Sequence, residues 1–345
     1  MQDDDGRVFP RSMKAADVVN VLVNHMTGKG VELGTLCEAV KVSKTPDGFE
    51  ITVRSVPPQW DKTGTPGPKT VLKCAAVILA AGGPAYPQIG GSVSGYDLAR
   101  SLGHSIKPPQ PVIVPLTVKE KFIKQLEGIR VQAAAELTAA GNIPARSRGE
   151  VLFTKYGLSG PAILELSRAA VFALKAGPAR LPGTQTSPAR PPGGQVKCRL
   201  DLFPEYTGEA LAAFLLERRE RMQDRFWRDF LCGLADERVL LLLSDLAKVG
   251  PDKLVSAVNE AAFGDFVRLL KCFEVEISGA LGFEDAMAAA GGVETSEVSP
   301  ETFGSAKIKG LFITGELLDI DADSGGYNLH FAWTSGLLAG RAAAA

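Results

Sequence analysis

The stretch TGELLDIDADSGGYNLHFAWTSGLLAG, residues 314–340, predicts the end of a strand, a loop and a helix in that order. Leu311–Thr314 is a short apolar run typical of a buried strand, and Gly315 ends it. The polar turn that follows ends in the glycine pair 325–326, and the pattern beyond it is helical. Glycines at a helix start let a ligand approach the backbone closely, and the free N–H groups there favour an anion. A glycine turn before a helix is also common as a purely structural feature, so spacing alone leaves both interpretations open.

A second strand followed by glycines lies at 77–83, VILAAGG. Open α/β sheets bind ligands beyond the carboxyl ends of their strands, which is where this glycine pair falls. Strand–glycine turns are frequent in proteins, so the segment is weak support when taken alone. Together with residues 314–340, it predicts an α/β protein whose ligand lies against glycine turns.

The acidic run in the polar turn invites a calcium interpretation, because Asp319, Asp321 and Asp323 have the opening spacing of an EF-hand loop. The sixth position of that loop requires glycine but holds Ser324, and the twelfth requires glutamate but holds His330. The three histidines and five cysteines of the chain share no metal-ligand spacing either. The sequence therefore predicts no metal site.

Composition limits the class of protein and its partners. The chain has 345 residues, of which 45% are hydrophobic, and 38 basic against 39 acidic residues give a net charge of −1. This balance lacks the basic character of nucleic-acid binders. No apolar run is long enough to span a bilayer, the start MQDDDGRVFP is unlike a signal peptide, and the scattered cysteines fit a reducing compartment. We expect a cytoplasmic protein with a small-molecule substrate and neither nucleic acid nor membrane as partner.

The order of patterns along the chain predicts an α/β layer interrupted by an insert. Residues 1–114 and 276–345 carry the strand and helix signals of the first layer, and 115–275 form the insert. Within the insert, strands are expected at about 116–203 and a helical cluster at about 207–263, whose last helix is placed at 251–263. The tract 177–195 is rich in proline and glycine without periodicity, which predicts a surface loop.

These segments together resemble the BaiN-like (YhiN-like) family of NAD(P)/FAD-dependent flavoprotein oxidoreductases. The similarity runs along nearly the whole chain and is loose only over 170–275. The matching stretches are GRVFPRSMKAADVV (6–19), VILAAGGPAYPQIGGSVSGYDLARSLGHSI (77–106), residues 111–116, EVLFTKYGLSGPAIL (150–164) and the long run 290–340 that begins AGGVETSEVSP.

The resemblance implies a Rossmann-like FAD-binding domain of the glutathione-reductase type, with the insert covering the flavin and shaping a substrate pocket. FAD is the implied cofactor and NAD(P)H a transient donor. The resemblance places the adenine end of FAD near Val40, and the pyrophosphate and ribitol side along Ala81, Gly82 and Gly83. The ribitol would also lie near Gly315, Glu316 and Asp319. The edge of the isoalloxazine ring would lie near Gly325, Gly326, Tyr327, Asn328 and Leu329.

The sequence departs from the family pattern in three features. The family begins with a βαβ unit that carries GxGxxG; the nearest fragment here, Gly28-x-Gly30-x-x-Leu33, lacks the third glycine and follows a helix instead of a strand. Lys155 stands where the family has histidine in LFTHxGLSGP, and His330 replaces a glutamine. We therefore expect an incomplete FAD-binding domain, and no catalytic residue is assigned.

These departures leave three hypotheses about function open. The first is a flavin-dependent oxidoreductase, in truncated form, that transfers hydride from NAD(P)H through FAD to an unknown organic acceptor. The second is a chain that holds no FAD alone; in one variant of it, a separate chain supplies the missing βαβ unit. The third is a noncatalytic interaction module that uses the helical cluster as its partner surface.

Overall fold

The computed structural model describes residues 6–57, 64–139, 142–176 and 195–345. Its strands are β1 (Cys37–Thr45), β2 (Gly48–Ser55), β3 (Lys69–Cys74), β4 (Val77–Leu79), β5 (Ile106–Val112), β6 (Leu116–Val118), β7 (Arg130–Ala139), β8 (Asn142–Thr154), β9 (Gly157–Ser159), β10 (Val196–Asp201), β11 (Phe273–Ala280), β12 (Ala288–Val293) and β13 (Leu311–Ile313). Its helices are α1 (Ala15–Gly28), α2 (Ser94–Ser101), α3 (Pro161–Ala176), α4 (Gly208–Arg221), α5 (Trp227–Leu231), α6 (Glu237–Leu246), α7 (Glu260–Lys271) and α8 (Tyr327–Ala343).

The chain divides into two compact units, and each unit is built from segments that are separated in the sequence. The first unit comprises Met1–Pro84, Gly91–Pro109 and Gly291–Ala345, and the second comprises Ala85–Gly90 and Gln110–Ala290. The chain changes unit after Pro84, after Gly90, within β5 and within β12. β5 and β12 form a two-stranded sheet. The boundaries proposed above, at residues 114 and 275, stay predictions, as does the incompleteness of the cofactor domain.

A parallel strand pair forms the centre of the first unit. β4 pairs with β13 in parallel, with Val77 opposite Leu311 and Leu79 opposite Ile313. All four of these apolar side chains are buried, and α8 packs beside them through Ala339. A separate antiparallel sheet of β1, β2 and β3 joins the same core. Parallel strands with a helix packed against them confirm the predicted α/β class.

A closed six-stranded barrel forms the second unit, in the order β10, β11, β6, β9, β8, β7. Two glycines allow its tight strand approach: a Cβ at Gly157 would lie 2.2 Å from the Leu116 carbonyl oxygen, and one at Gly160 would lie 2.6 Å from that of Glu150. Helices α4 to α7 form a cluster around Trp227, whose indole N–H donates to Ser244 Oγ at 2.8 Å.

The helix expected at 251–263 is wrong in position. A short 3-10 turn occupies Val255–Ala257, and α7 begins only at Glu260. The cause is Asn259, whose side-chain oxygen accepts the backbone N–H of Ala262 at 2.8 Å and caps the new helix. The proline- and glycine-rich tract at 177–195 lies, except for its last residue, outside the described residues.

Across the part of the chain that the structure describes, no helix is both long enough and apolar enough to cross a membrane.

Candidate functional site

Two glycine turns lie together at the carboxyl ends of β4 and β13. The backbone N–H of Thr314 donates to the Leu79 carbonyl at 3.0 Å, which carries the parallel pairing to the point where both strands end. Gly82, beyond β4, has a φ of 71°, and Gly315, beyond β13, has a φ of 64°. A Cβ built on Gly82 would meet nothing within 4 Å, so the backbone there is open to an approaching ligand.

The glycine pair 325–326 directly precedes α8, at the predicted helix start, and both residues have positive φ. Gly325 and Gly326 have φ values of 126° and 94°, and Gly326 is the N-cap residue. The first backbone bond of the helix runs from the His330 N–H to the Gly326 carbonyl, so the three N–H groups before it have no intrahelical acceptor. This end of α8 can therefore receive an anionic or oxygen-rich group.

Side-chain hydrogen bonds fix the loop that joins the two turns. Asn328 holds Ala322 from both sides, since its Oδ1 accepts the Ala322 N–H and its Nδ2 donates to the Ala322 carbonyl, each at 3.0 Å. The buried Ser335 hydroxyl on α8 accepts the Gly315 N–H at 3.0 Å. The start of α8 and the turn after β13 therefore form one connected piece of structure.

Asp319 is held by partners that sequence reasoning missed. Its Oδ1 accepts the Gly291 N–H at 3.1 Å and its Oδ2 accepts Lys107 Nζ at 2.6 Å. Lys107 also contacts Glu294 Oε2 at 3.1 Å, and its hydrogen bond to Asp319 is the main cause that raises the pKa of the lysine. Lys107 and Asp319 are 212 positions apart, so no local pattern could have paired them.

A buried histidine after α2 holds the loop that precedes β13. The His104 ring is 2.9 Å from Glu297 Oε2 through Nδ1 and 2.9 Å from Ser305 Oγ through Nε2. Burial is the main cause that lowers the pKa of His104, so the ring is neutral, donating from Nδ1 and accepting at Nε2. Burial alone would raise the pKa of Glu297, but hydrogen bonds from Lys307, the Ser105 N–H and His104 lower it to about 2.

The serine of this group is not an activated nucleophile. Besides donating to His104, Ser305 Oγ accepts the backbone N–H groups of Lys307 at 3.1 Å and Ile308 at 3.0 Å. Its lone pairs are occupied by these bonds, so the Ser–His–Glu series serves to hold the loop together.

Tyr96 on α2 is a second buried polar residue that the sequence did not single out. Its ring is almost fully buried, and its hydroxyl lies 3.4 Å from the Glu316 carbonyl oxygen. Burial, more than the nearby charges of Glu316 and Asp319, raises the pKa of this phenol. The neutral hydroxyl therefore remains a donor toward the turn after β13.

The remaining predicted positions are scattered. Val40 lies in β1 at an irregularity in its pairing with β2, between Ala39 and Lys41, and its role at a cofactor stays a prediction. Lys155 is exposed in the turn between β8 and β9, and belongs to the second unit. Among the described residues, no group of three or more His, Cys, Asp or Glu side chains is arranged to hold a metal ion.

Comparison with known proteins connects this arrangement to characterised relatives. The family model described as "HI0933-like protein Rossmann domain" matches residues 1–342. The chain is 32% identical over 341 residues to the 3-dehydro-bile acid delta(4,6)-reductase of Clostridium scindens, a match that covers 98% of this chain and 76% of that protein. It is 26% identical over 321 residues to the ribosomal RNA dihydrouridine synthase of Escherichia coli, covering 93% and 70% of the two chains. The Haemophilus influenzae protein of the same name is 25% identical over 268 residues, covering 77% and 59%.

Proposed function

Because the chain belongs to the HI0933-like, BaiN-like family of Rossmann-domain proteins, we propose that it is a flavin-dependent reductase. Its acceptor is proposed to be a small organic molecule with a C=C bond conjugated to a carbonyl. The observation that carries this proposal is the 32% identity to a reductase across 98% of the chain. The glycine turns beyond β4 and β13 support it, because they lie where α/β sheets bind ligands.

The names of the relatives support a shared acceptor chemistry. One relative reduces a delta(4,6) system in a 3-dehydro bile acid, and the others make dihydrouridine. A 3-keto-4,6-diene and the uracil ring each have a C=C bond conjugated to a carbonyl. Such a bond accepts hydride at the carbon remote from the carbonyl and a proton at the adjacent carbon.

The residues at the glycine turns fit the ring and ribitol end of FAD. Gly82 leaves open space for a planar group, the Gly315 turn lies beside it, and the free N–H groups after Gly326 favour the negative charge of a reduced flavin ring. When bound, the flavin would supply the hydride chemistry, with NAD(P)H as its transient donor. The protein would contribute position, exclusion of water and hydrogen bonds.

The pyrophosphate end requires a further element. The sequence has no GxGxxG turn, which is the usual backbone site for that group. We propose that the element comes from outside these 345 residues, and a separate chain that supplies a βαβ unit is the form most readily tested.

Two arginines of the helical cluster are engaged in hydrogen bonds within the cluster, which favours a small-molecule acceptor over RNA. Arg218 donates to the carbonyls of Phe230 and Cys232, and Arg219 donates to the Val258 carbonyl and to Glu260. These guanidinium groups hold loops together within the cluster, and the whole chain has a net charge of −1. An RNA-binding surface would instead present unpaired basic side chains.

The flavin assay tests the proposal. The purified chain is mixed with FAD, with and without a separately expressed βαβ fragment of the bile-acid reductase, and the visible spectrum of the protein fraction is recorded. We expect a bound flavin spectrum when the fragment is present, and reduction of that flavin by NADH or NADPH. A chain that stays colourless with the fragment, and with the same unit fused to its N-terminus, would favour the noncatalytic module.

A further inference from the structure

The end of β12 joins two other segments of the first unit beside Asp319. The backbone N–H of Asp319 donates to the Val293 carbonyl at 2.9 Å, and that of Glu294 donates to the Ser105 carbonyl at 3.1 Å. Each of these residues belongs to the first unit. The end of β12 therefore connects the turn that carries Asp319 to the chain that enters β5.

Two glycines allow these segments to approach one another closely. A Cβ on Gly291 would lie 2.7 Å from the Pro108 carbonyl oxygen, and one on Gly292 would lie 2.7 Å from that of Leu317. Both glycines have positive φ, at 96° and 129°. Backbone atoms thus occupy the space that a larger residue would need, and the backbone that carries Asp319 is held close to β5.

The carboxylate of Asp319 is held by one backbone group and one cation. The Gly291 N–H donates to Oδ1 at 3.1 Å, and Lys107 Nζ donates to Oδ2 at 2.6 Å. Lys107 Nζ also lies 3.1 Å from Glu294 Oε2, so the ammonium group bridges two carboxylates. An ionised carboxylate accepts about four hydrogen bonds, so each oxygen of Asp319 can accept one more. The Asp319 side chain is 21% exposed, which leaves this acceptor within reach of a ligand.

Helix α2 lies against both of the turns that follow β4 and β13. A Cβ on Gly95 would lie 2.7 Å from the Ala81 Cβ, in the turn after β4, and 3.0 Å from Leu317 Cδ1, in the turn after β13. Burial first, and then nearby charges that include Asp319, raise the pKa of Tyr96 on the same helix. Asp319 therefore lies beside the place where the two turns of the candidate cofactor site come together.

We propose that Lys107 is a positioning residue for the flavin, because it orients the Asp319 carboxylate to accept a hydroxyl group of the ribityl chain. This role rests on the proposed function, since the ligand is the flavin of the reductase, and it adds the residue that sets the orientation of Asp319. Without the ammonium group, Asp319 and Glu294 repel each other and Oδ2 loses its donor. The carboxylate then keeps the Gly291 bond alone and can turn away from the ligand.

Riboflavin and lumiflavin separate this contact from other effects on the site. The two molecules share the isoalloxazine ring, but lumiflavin has a methyl group where riboflavin has the ribityl chain, and neither carries a pyrophosphate. Their Kd values for the whole chain are measured by equilibrium dialysis, with no nicotinamide cofactor present. Lys107→Met removes the cation and Lys107→Arg restores it. Lys309→Met, at an exposed lysine of the same unit, is the matched control.

We expect Lys107→Met to raise the Kd for riboflavin about tenfold and to leave that for lumiflavin unchanged, because the lost interaction is with the ribityl hydroxyls. Lys107→Arg and Lys309→Met should bind both molecules as the wild-type chain does. Wild-type affinity of Lys107→Met for riboflavin would overturn the positioning role, and so would an equal loss of lumiflavin, which would indicate a structural effect. A chain that holds FAD with the βαβ fragment but binds riboflavin no more tightly than lumiflavin would overturn this role alone. Binding of no flavin under any of these conditions would overturn the proposed function with it.

Discussion

Replacing His104 by phenylalanine removes a buried connection within the first unit while keeping a ring of similar size. The imidazole side chain is fully buried and joins the chain after α2 to the loop 295–308. Phenylalanine can make neither the bond to Glu297 nor the bond to Ser305.

The expected loss of stability in the first unit follows from those two hydrogen bonds. A bond to a charged group contributes about 1.5–3 kcal/mol and one between neutral groups about 0.5–1.5 kcal/mol. Glu297 keeps the Ser105 N–H at 3.0 Å and Lys307 Nζ at 2.7 Å, so its carboxylate is not left without partners. We therefore expect the free energy of unfolding of the first unit to fall by about 2–4 kcal/mol, which is near the sum of the contributions of the two hydrogen bonds.

Native-state hydrogen exchange measures this loss for each unit separately. Peptides covering α2 and residues 295–308 should exchange about thirtyfold faster or more, and peptides from α4 to α7 in the second unit should keep their protection. His25→Phe is the matched control, because the His25 side chain is exposed on α1. Unchanged protection at 295–308 would refute the argument, and so would an equal loss in both units.

Two further predictions follow from pKa shifts and from backbone geometry. The pKa of His104 is lowered in the folded chain, so its contribution to stability is present above the ordinary pKa of 6.5 and is lost as the pH falls below that value. The pKa of Glu297 is lowered to about 2, so the contribution of this carboxylate is present above its ordinary pKa of 4.5 and is lost as the pH falls toward 2. In urea titrations across this range, the wild-type first unit should therefore lose stability on acidification below 6.5, and His104→Phe should show a smaller decline; parallel declines would contradict the assignment. Gly157→Ala should destabilise the barrel by about 3 kcal/mol, because its Cβ would lie 2.2 Å from the Leu116 carbonyl oxygen. Gly208→Ala is the control, since a Cβ there has open space and the variant should unfold at nearly the wild-type urea concentration. Equal destabilisation by the two substitutions would contradict the argument from the close approach at Gly157.

Local sequence patterns were sufficient for the strand–glycine–helix segments. The apolar runs at β4 and β13 and the glycine pair at 325–326 each depend on neighbours within a few residues, and the structure has them as predicted. The cap at Asn259 is equally local, and it sets the start of α7 at Glu260, later than the predicted helix at 251–263.

Pairs that are distant in sequence could not be predicted. Lys107 meets Asp319 across 212 positions, and His104 meets Glu297 across 193. Each depends on where β12 returns the chain to the first unit after the long excursion that begins within β5, and no spacing rule in a single sequence contains that information. Closure of the six strands into a barrel was missed for the same reason, because alternating apolar residues predict strands but not which edges join.

The most direct test of the account is anaerobic transfer of hydride from flavin bound to this chain. The chain is loaded with FAD together with the βαβ fragment, reduced with NADH, freed of excess donor and mixed with a steroid enone. The account predicts that the flavin is reoxidised and that one equivalent of the enone loses its conjugated C=C bond. A flavin that stays reduced with steroid and uridine acceptors alike, while still bound to the protein, would contradict the assignment as a reductase of conjugated double bonds.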